Sequence, residues 1–387
     1  METIPRFFAI PGQSFFPLGP RGTGKSTWLQ HELKDALFVD LLRPETYREM
    51  AARPERLREL VMGSPRQDTI VIDEIQRVPE LLNVVHECLE SLAPRRFVLT
   101  GSSARKLRRG GVDLLAGRAL LRTMHPFMAA ELSEFSLQSA LETGLVPLVV
   151  SSSNPEDVLK AYAGLYVEQE VRAEGLTRNV GAFSRFLEAI SFSHASILNT
   201  SNVARECQIE RKTVAAYIEA LGDLLLSFHL PVFTVRARRE TVSHAKFYFF
   251  DAGVYRSLRP RGPLDRAQEI EGAALEGLVA QHLRAWIAYS GVDARLFYWR
   301  TRSGVEVDFI VYGSNEFWAV EVKNSAKVKP SDLRSLKTFA RDYPECTCIF
   351  LYRGCDRMRI DGIWCIPAGE FLKNLRPSVG MIDWLVR

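Results

Sequence analysis

Residues 19–27 read Gly19-Pro20-Arg21-Gly22-Thr23-Gly24-Lys25-Ser26-Thr27 and fit the pattern G-x-x-x-x-G-K-[ST] at every required position. An apolar run with Phe15, Phe16 and Leu18 precedes the stretch, and a helix-like run, Lys25 to Leu33, follows it. In this context glycines let backbone N–H groups turn toward an anion, and the helix start adds its positive end. A plain glycine turn is the alternative, but chance rarely produces this spacing after an apolar strand. The stretch therefore predicts a phosphate-binding loop.

The residues of this loop have separate expected roles. We expect Lys25 to reach the β- and γ-phosphates of ATP and the Ser26 hydroxyl to hold Mg²⁺. The other residues predicted to line the nucleotide site are Gly19, Arg21, Gly22, Thr23, Gly24 and Thr27.

Two further apolar segments end in polar residues. The segment Thr69 to Glu74 is a β-branched strand that ends in two acids. Since ligands bind at the carboxyl ends of parallel strands, we expect Asp73 to hold the Mg²⁺ hydration shell and Glu74 to polarise the attacking water. An acid pair that only caps the next helix is the alternative. Thr100 or Ser102, after the strand Arg95 to Leu99, could sense the γ-phosphate, and a simple Ser/Gly turn is the other reading.

Composition limits the classes of protein to consider. A chain of 387 residues with 47% hydrophobic and 25% charged residues predicts two or three globular domains. The net charge of +4 does not by itself indicate nucleic acid. We find no signal-peptide pattern and no apolar run near the roughly 20 residues of a membrane span. The six cysteines lack C-x-x-C spacing, so we expect a reduced, cytoplasmic protein. Because no apolar run is long enough, we also expect that it does not enter a membrane.

Strands and helices alternate through about residue 135, which predicts a doubly wound parallel sheet in an α/β fold. Four segments resemble a bacterial and archaeal clade of AAA-type ATPases: Gly19-Pro20-Arg21, Ile72-Asp73-Glu74-Ile75-Gln76, Leu99-Thr100-Gly101-Ser102-Ser103, and Leu115-Ala116-Gly117-Arg118 followed by Pro126-Phe127. The resemblance implies ATP hydrolysis by a homo-oligomer in which a neighbour supplies an arginine in trans. Arg118 best matches the family position, and the other available arginines are Arg105, Arg108, Arg109 and Arg122. For each of them, a solvated basic loop is the alternative. Pro17 predicts a bent or edge-like first strand, because proline lacks a donor for the ladder.

The middle of the chain is predicted to be helical. Residues 136–180 read as a helical lid or connector, and residues 181–245 as a winged-helix segment with helix-turn-helix character. Arg211 and Lys212, at the start of its second helix, could contact DNA phosphates or bases. Four basic residues follow and could add backbone contacts: Arg236, Arg238, Arg239 and Lys246. A protein-docking module or a plain basic surface is the alternative.

The last part of the chain places charged residues inside apolar strands. Side chains alternate along a strand, so Glu321 and Lys323 share one face, and Asp308 lies at the end of a neighbouring strand. Carboxylates there are costly to bury unless they are paired or bound to a metal ion. We therefore expect Asp308 and Glu321, completed by Glu276, to hold Mg²⁺, with Lys323 orienting a water for phosphodiester cleavage. A salt-bridged hairpin without catalysis is the alternative.

These residues also carry a second resemblance. Asp308 with Glu321-Val322-Lys323 resembles the core of PD-(D/E)xK nucleases. Three more segments resemble the domain of unknown function that follows these ATPases: Tyr248 to Gly253, Leu275 to Val279, and Tyr298 to Arg302.

The sequence thus predicts four parts: an AAA-type core at 1–135, a connector at 136–180, a winged helix at 181–245 and a nuclease-like α/β domain at 246–387. The expected function is that of an ATPase coupled to a DNA-interacting, Mg²⁺-dependent nuclease-like domain. The alternative is a nucleotide-switched binding or regulatory protein whose C-terminal domain docks a partner without cutting nucleic acid.

Overall fold

The structure, a computed structural model, describes residues 4–91, 95–101, 114–166, 179–237, 239–242 and 244–385. The chain divides into two compact units. Unit 1 contains residues 1–125 with 223–225, and unit 2 contains residues 126–222 with 226–387. The finer division into four parts stays a prediction.

Unit 1 is an α/β unit built on a parallel sheet. Its strands are β1 (Phe15–Leu18), β2 (Leu37–Asp40), β3 (Thr69–Asp73), β4 (Arg96–Leu99) and β5 (Leu120–Thr123). Its helices are α1 (Lys25–Glu32), α2 (Pro44–Ala52), α3 (Arg56–Gly63) and α4 (Leu81–Ser91), with 3₁₀ turns at Ile75–Arg77 and Leu114–Gly117. The five strands pair in the order β2-β3-β4-β1-β5, all parallel, so their carboxyl ends share one edge. The predicted parallel sheet is present.

The first strand is not at the edge of this sheet, so the expectation of an edge-like strand was wrong. β1 lies between β4 and β5. Against β5 it pairs along its whole length, including Pro17 with Arg122. It meets β4 at Phe15, opposite Val98, and again at the bridge between Leu18 and Gly101. The missing donor of Pro17 falls between these two points, which is how proline is accommodated in an interior strand.

Unit 2 has many helices and two sheets. Its helices are α5 (Leu137–Thr143), α6 (Pro147–Val150), α7 (Pro155–Ala161), α8 (Val180–Ser191), α9 (Thr200–Cys207), α10 (Arg211–Asp223), α11 (Ala252–Leu258), α12 (Ala267–Ser290), α13 (Arg334–Asp342), α14 (Ala368–Asn374) and α15 (Met381–Leu385). A π-helical turn spans Tyr162–Tyr166, and 3₁₀ turns span Ala129–Glu131 and Pro330–Leu333. Its strands are β6 (Ser196–Ile197), β7 (Ser227–Leu230), β8 (Lys246–Phe249), β9 (Ala294–Arg300), β10 (Glu306–Gly313), β11 (Phe317–Val322), β12 (Thr347–Tyr352), β13 (Met358–Ile360) and β14 (Ile363–Pro367).

The two sheets of unit 2 have different topologies. The small sheet has the order β6-β8-β7 and is antiparallel. Along the chain, β6 precedes the helices α9 and α10, and β7 and β8 follow them. The large sheet has the order β13-β14-β12-β11-β10-β9. Its pairs β11–β12 and β12–β14 are parallel, whereas β9–β10, β10–β11 and β13–β14 are antiparallel. The strands β9 and β10 form an antiparallel hairpin.

The segment Tyr248 to Gly253 ties two parts of unit 2 together. Asp251 caps α11 by accepting the Val254 N–H at 3.1 Å, and its other oxygen accepts the Leu145 N–H at 2.8 Å. A Cβ on Gly144 would lie 2.0 Å from the Asp251 carboxylate, so only glycine fits there. Burial raises the pKa of Asp251 to about 6. This part of the motif therefore has a structural role.

The longest helix, α12, runs through unit 2 and is buried over much of its length. Within the described part of the chain, no helix is both long and apolar enough to cross a bilayer.

Candidate functional site

The backbone of the phosphate-binding loop depends on three glycines. Gly22 and Gly24 have φ of 80° and 84°, in the left-handed region that glycine adopts without strain. Gly19 lies so close to the next strand that a Cβ would stand 2.4 Å from the Met124 carbonyl oxygen. Helix α1 begins at Lys25, directly after this turn. The loop therefore joins the carboxyl end of β1 to a helix N-terminus, the arrangement that binds phosphate in other proteins.

The side chains of the loop are placed in different ways. Lys25 is buried, and its ammonium donates to the carbonyls of Gly19 at 2.7 Å and Pro20 at 3.1 Å. Thr23 is buried and donates to the same Pro20 carbonyl at 2.7 Å, so its hydroxyl braces the turn. Ser26 is half-buried at the start of α1, whereas Arg21 and Thr27 are exposed.

Arg6 is a loop contact that sequence reasoning missed. Its guanidinium donates to the Thr23 carbonyl at 3.2 Å and to the His125 carbonyl at 2.6 Å. The loop backbone is thus joined to the segment after β5. No motif surrounds Arg6, so the sequence offered no signal for this role.

Asp73, Glu74 and Thr100 meet at the carboxyl ends of β3 and β4. Asp73 is buried, and the Thr100 hydroxyl donates to its Oδ1. The same hydroxyl accepts the Glu74 N–H at 2.9 Å. Ile75 N–H donates to the Thr100 carbonyl at 3.0 Å, which holds the chain just after the acids against β4. Thr100 therefore positions both predicted acids.

Electrostatics links these acids to the phosphate-binding loop. Burial raises the pKa of Glu74, the positive charge of Lys25 lowers it, and the neighbouring Asp73 raises it again. Arg21 adds a smaller lowering effect. A carboxyl group with a raised pKa is a stronger base, which suits the proton-accepting role expected of Glu74.

Arg118 lies at the other edge of the same sheet. It precedes β5, and β5 runs parallel to β1, so Arg118 is at the amino ends of the strands, roughly 15 Å of strand from the loop edge. Its guanidinium contacts Glu90 at 3.0 Å and His86 at 3.4 Å on α4. Arg118 therefore lies away from the nucleotide site of its own unit. The other predicted candidates Ser102, Arg105, Arg108 and Arg109 lie outside the described residues.

In unit 2 the structure brings Asp308 and Glu321 side by side. Phe309 pairs with Val320 across β10 and β11, so Asp308 is opposite Glu321. The ladder to β9 is irregular between Val307 and Ile310, a bulge of the kind that redirects a side chain. Asp308 Oδ2 accepts the Val322 N–H at 2.9 Å, and Glu321 contacts the Lys323 ammonium at 2.9 Å.

A buried lysine, Lys246 on β8, occupies the middle of this charged group. Its ammonium lies 2.5 Å from Glu306, 2.9 Å from Glu276 and 3.5 Å from Asp308, with only 3% of the side chain exposed. The Tyr248 hydroxyl donates to the same Glu276 oxygen at 2.6 Å. We call these five residues, Lys246, Tyr248, Glu276, Glu306 and Asp308, the lysine centre.

The pKa values in the lysine centre reflect burial and charge. Burial lowers the pKa of Lys246, but the carboxylates of Glu276, Asp308 and Glu306 outweigh that effect and raise it well above its usual range. Burial, together with the charge of Asp308, raises the pKa of Glu276 to about 7. The same two causes raise the pKa of Glu321 well above its usual range, and Lys323 opposes them.

Two members of the predicted basic DNA-binding cluster contact acids within the protein. Burial makes the prediction wrong for Lys246, whereas for the exposed Arg239 it stays a prediction. Lys246 is buried in the lysine centre. Arg239 donates to the Asp342 carboxylate at 2.5 and 3.1 Å. Arg238 lies outside the described residues. Apolar and basic residues are interspersed between Arg236 and Lys246, so the sequence alone does not show which basic side chain contacts a buried acid.

The described arrangement does not fit a metal ion at the predicted C-terminal site. Among the described residues no group of three His, Cys, Asp or Glu side chains is arranged to hold one. The Lys246 ammonium already contacts the oxygens of Glu276 and Asp308 that would be ligands. The assignment of Mg²⁺ to Glu276, Asp308 and Glu321 therefore stays a prediction without support from this geometry.

Comparison with known families finds matches in three parts of the chain. Residues 14–133 match the family described as an AAA domain. Residues 134–265 match DUF8612 and residues 271–371 match DUF4143, both domains of unknown function. The N-terminal match supports a P-loop AAA-type ATPase and agrees with the five-stranded parallel sheet. The other two matches assign no activity.

Similar whole proteins add little about function. Uncharacterized proteins of Mycobacterium tuberculosis and Mycobacterium bovis are each 27% identical over 326 residues, which cover 82% of this chain and 71% of theirs. Two solved structures also match at 10% identity. They are Can2 from Sulfobacillus thermosulfidooxidans in complex with cyclic tetra-adenylate, which covers 83% of this chain and 93% of its own, and protein VC1899 from Vibrio cholerae, which covers 96% and 97%. Both have a TM-score of 0.24, which is too low to support any argument about this chain.

Proposed function

We propose that the chain binds and hydrolyses ATP in unit 1, and that its nucleotide state controls what unit 2 binds. One observation carries the first half of this proposal. Lys25, Asp73, Glu74 and Thr100 converge at the carboxyl edge of a parallel sheet, and Lys25 and Asp73 both act on the Glu74 carboxylate. A cation for phosphate, an acid for Mg²⁺ and a base for water are the parts that ATP hydrolysis needs.

Each residue has a physical task in this reaction. Backbone N–H groups of the loop bind the β-phosphate, and the Lys25 ammonium exchanges the carbonyls of Gly19 and Pro20 for phosphate oxygens. Glu74 accepts the proton of the attacking water. Thr100 keeps Asp73 and the Glu74 backbone in place.

The residues at this site fit a magnesium ion bound with ATP. The Ser26 hydroxyl at the first turn of α1 and the Asp73 carboxylate are oxygen donors, which Mg²⁺ prefers. The ion would neutralise charge on the phosphates during transfer.

Replacement of Lys25 tests this proposal. Lys25→Ala should lower ATP turnover by about 100-fold or more, because the cation on the transferred phosphate is lost. Lys34→Ala, at an exposed position shortly after α1, is the matched control and should leave turnover unchanged. Release of inorganic phosphate is the measurement. Full turnover by Lys25→Ala would refute ATP hydrolysis at this loop.

A second proposal concerns the partner of unit 2, which we infer to be double-stranded DNA. Helices α9 and α10 are joined by three residues, with Gln208 in the left-handed conformation (φ 54°). Arg211 and Lys212 are exposed at the N-terminus of α10. A second helix with a basic start can approach a groove and neutralise phosphates.

Salt dependence tests DNA binding. A labelled duplex should bind at least about tenfold more weakly at 200 mM than at 50 mM salt, because bound counterions are released. The double replacement Arg211→Ala with Lys212→Ala should weaken binding and flatten this dependence, whereas Lys327→Ala, an exposed lysine elsewhere in unit 2, should not. Fluorescence anisotropy is the measurement. Unchanged binding by the double variant would argue for a protein partner at this surface.

A further inference from the structure

We propose that the ammonium of Lys246 takes the place of a divalent cation among Glu276, Glu306 and Asp308, so that unit 2 keeps this buried acidic centre together without a metal ion. The three N–O distances of 2.5, 2.9 and 3.5 Å are those of direct ion pairs. The carboxylates come from α12 and β10 and the lysine from β8, so one cation joins three elements.

Lysine and metal exclude each other at this position. Mg²⁺ binds oxygen at about 2.0–2.1 Å and would have to use the oxygens of Glu276 and Asp308 that Lys246 contacts. Two cations in contact with the same oxygens would repel each other strongly in a buried site. Binding of a divalent ion therefore requires departure of the ammonium.

The surroundings of Lys246 hold it in place. Lys246 pairs with Ile197 on β6 and with Leu230 on β7, so both neighbouring strands fix its backbone. Its ammonium also lies 5.5 Å from the centre of the Tyr298 ring, within cation–π range. Departure of the ammonium would leave the buried carboxylates of Glu276, Glu306 and Asp308 without this cation, which is costly in a buried site.

One acceptor beside the lysine centre remains open. Glu321 Oε2 is buried and has no hydrogen-bond partner among the described residues. Asp308 lies opposite Glu321 across β10 and β11, so the two carboxyl groups are neighbours on one face of the sheet. If Lys246 were absent, Glu276 and Asp308 would lose the cation that they contact, beside the open Glu321 Oε2, while Lys323 stays at the other Glu321 oxygen. Removal of the ammonium should therefore create a site for a divalent ion.

Two variants of the nucleotide-free full chain test this. Lys246→Met removes the ammonium, and Lys246→Met combined with Glu306→Gln also removes one carboxylate, which restores the formal charge of the centre. With about 1 mM Mn²⁺, thermal unfolding of unit 2 should shift upward by about 3 °C or more in these variants. The wild type and Lys327→Met, at an exposed position, should shift by less than about 1 °C.

Each outcome of this experiment either supports the proposal or overturns it. If Lys246→Met fails to fold, the charge-matched double variant decides, and its folding only in the presence of Mn²⁺ also supports the proposal. A folded double variant without a Mn²⁺ effect overturns it, as does an equal shift in the wild type. The wild type gives an independent check on a mixed DNA panel: Mg²⁺-dependent cutting that disappears in Glu321→Ala would show that a metal ion does enter. We expect no such cutting, whether or not ATP is hydrolysed.

Discussion

Glu74 has a backbone conformation that an ordinary residue rarely adopts. Its φ of 61° and ψ of 46° place it in the left-handed region, where a side chain costs free energy. Two hydrogen bonds to Thr100, from the N–H groups of Glu74 and Ile75, maintain this conformation. Strain of this kind is often found where a side chain must point in a required direction. Glu74 directly follows β3, and the positive charge of Lys25 lowers the pKa of its carboxyl group.

The first prediction is that Glu74→Gln separates ATP binding from hydrolysis. Glutamine keeps the size of the side chain but cannot accept a proton from water, so turnover should fall by about 100-fold or more. Binding of ATP should change little, since the loop and Asp73 remain. Phosphate release and binding of a fluorescent ATP analogue measure the two properties.

Glu80→Gln provides the control for that experiment. Glu80 is exposed and lies six residues further along the chain, so its replacement should leave both properties intact. If Glu74→Gln hydrolysed ATP at the wild-type rate, another residue would have to be the base.

At the residue scale, contacts between residues close in sequence could be predicted, whereas contacts between distant residues could not. Gly19 to Thr27 is a local motif, so its geometry could be inferred from spacing alone. The lysine centre joins Lys246 to Glu276 and Asp308, which are 30 and 62 positions away. No local pattern reports such a contact. The carboxylates could be proposed as partners of a cation, but its identity required the fold.

At the scale of elements, α12 shows how one glycine sets a packing distance. A Cβ on Gly277 would lie 2.3 Å from Nε2 of His194. The histidine cannot easily move, because its ring stacks on Tyr255 with centroids 4.0 Å apart and its Nδ1 accepts the Phe249 N–H at 3.1 Å. Gly277 therefore allows α12 to approach the segment before β6.

The second prediction compares two glycines on this helix. Gly277→Ala should destabilise unit 2 by about 1–3 kcal/mol, since the added methyl overpacks the contact with His194. Gly272→Ala should be neutral or stabilise it by up to about 1 kcal/mol, because alanine favours a helix and its Cβ would meet only Asn324 at 3.8 Å. Urea unfolding monitored by tryptophan fluorescence measures both variants. Equal effects would show that His194 does not limit this approach.

Apolar patterning predicts most of the strands and helices, but it does not predict which of them lie next to each other in a sheet. The buried run of β3 and the hairpin of β9 and β10 follow directly from their sequences. The position of β1 inside its sheet was missed because Pro17 was judged as a single residue. Whether a proline is tolerated depends on where each ladder bond falls, which is a property of the paired strands.

At the scale of the whole molecule, the position of Arg118 bears on assembly. Unit 1 has its phosphate-binding loop at one edge of the sheet and Arg118 at the opposite edge. One copy therefore cannot use both features on the same nucleotide. A head-to-tail contact between copies would bring Arg118 of one chain to the nucleotide of the next, and such contacts close into rings when the rotation permits. To act there, Arg118 must leave Glu90.

The third prediction is that two inactive variants restore activity when mixed. Arg118→Ala should lose most ATP turnover because no cation from the neighbour stabilises the transferred phosphate. Lys25→Ala should lose ATP turnover because its phosphate-binding loop lacks the lysine cation. In a mixed assembly, an Arg118→Ala chain with an intact loop can sit beside a Lys25→Ala chain with an intact arginine. Random mixing in equal amounts gives this pairing at about a quarter of the sites, so turnover should recover to about a quarter of the wild-type value.

Arg122→Ala separates this role from general charge. Arg122 is exposed on β5 in the same unit, and its replacement should leave turnover near the wild-type level. If ATP turnover by the mixture of Lys25→Ala and Arg118→Ala only reached the average of the two variants measured alone, an active site built from two copies would be excluded. Recovery would fix both the oligomeric nature of the ATPase and the direction of its contact, because the donor of the arginine and the owner of the loop would be different chains.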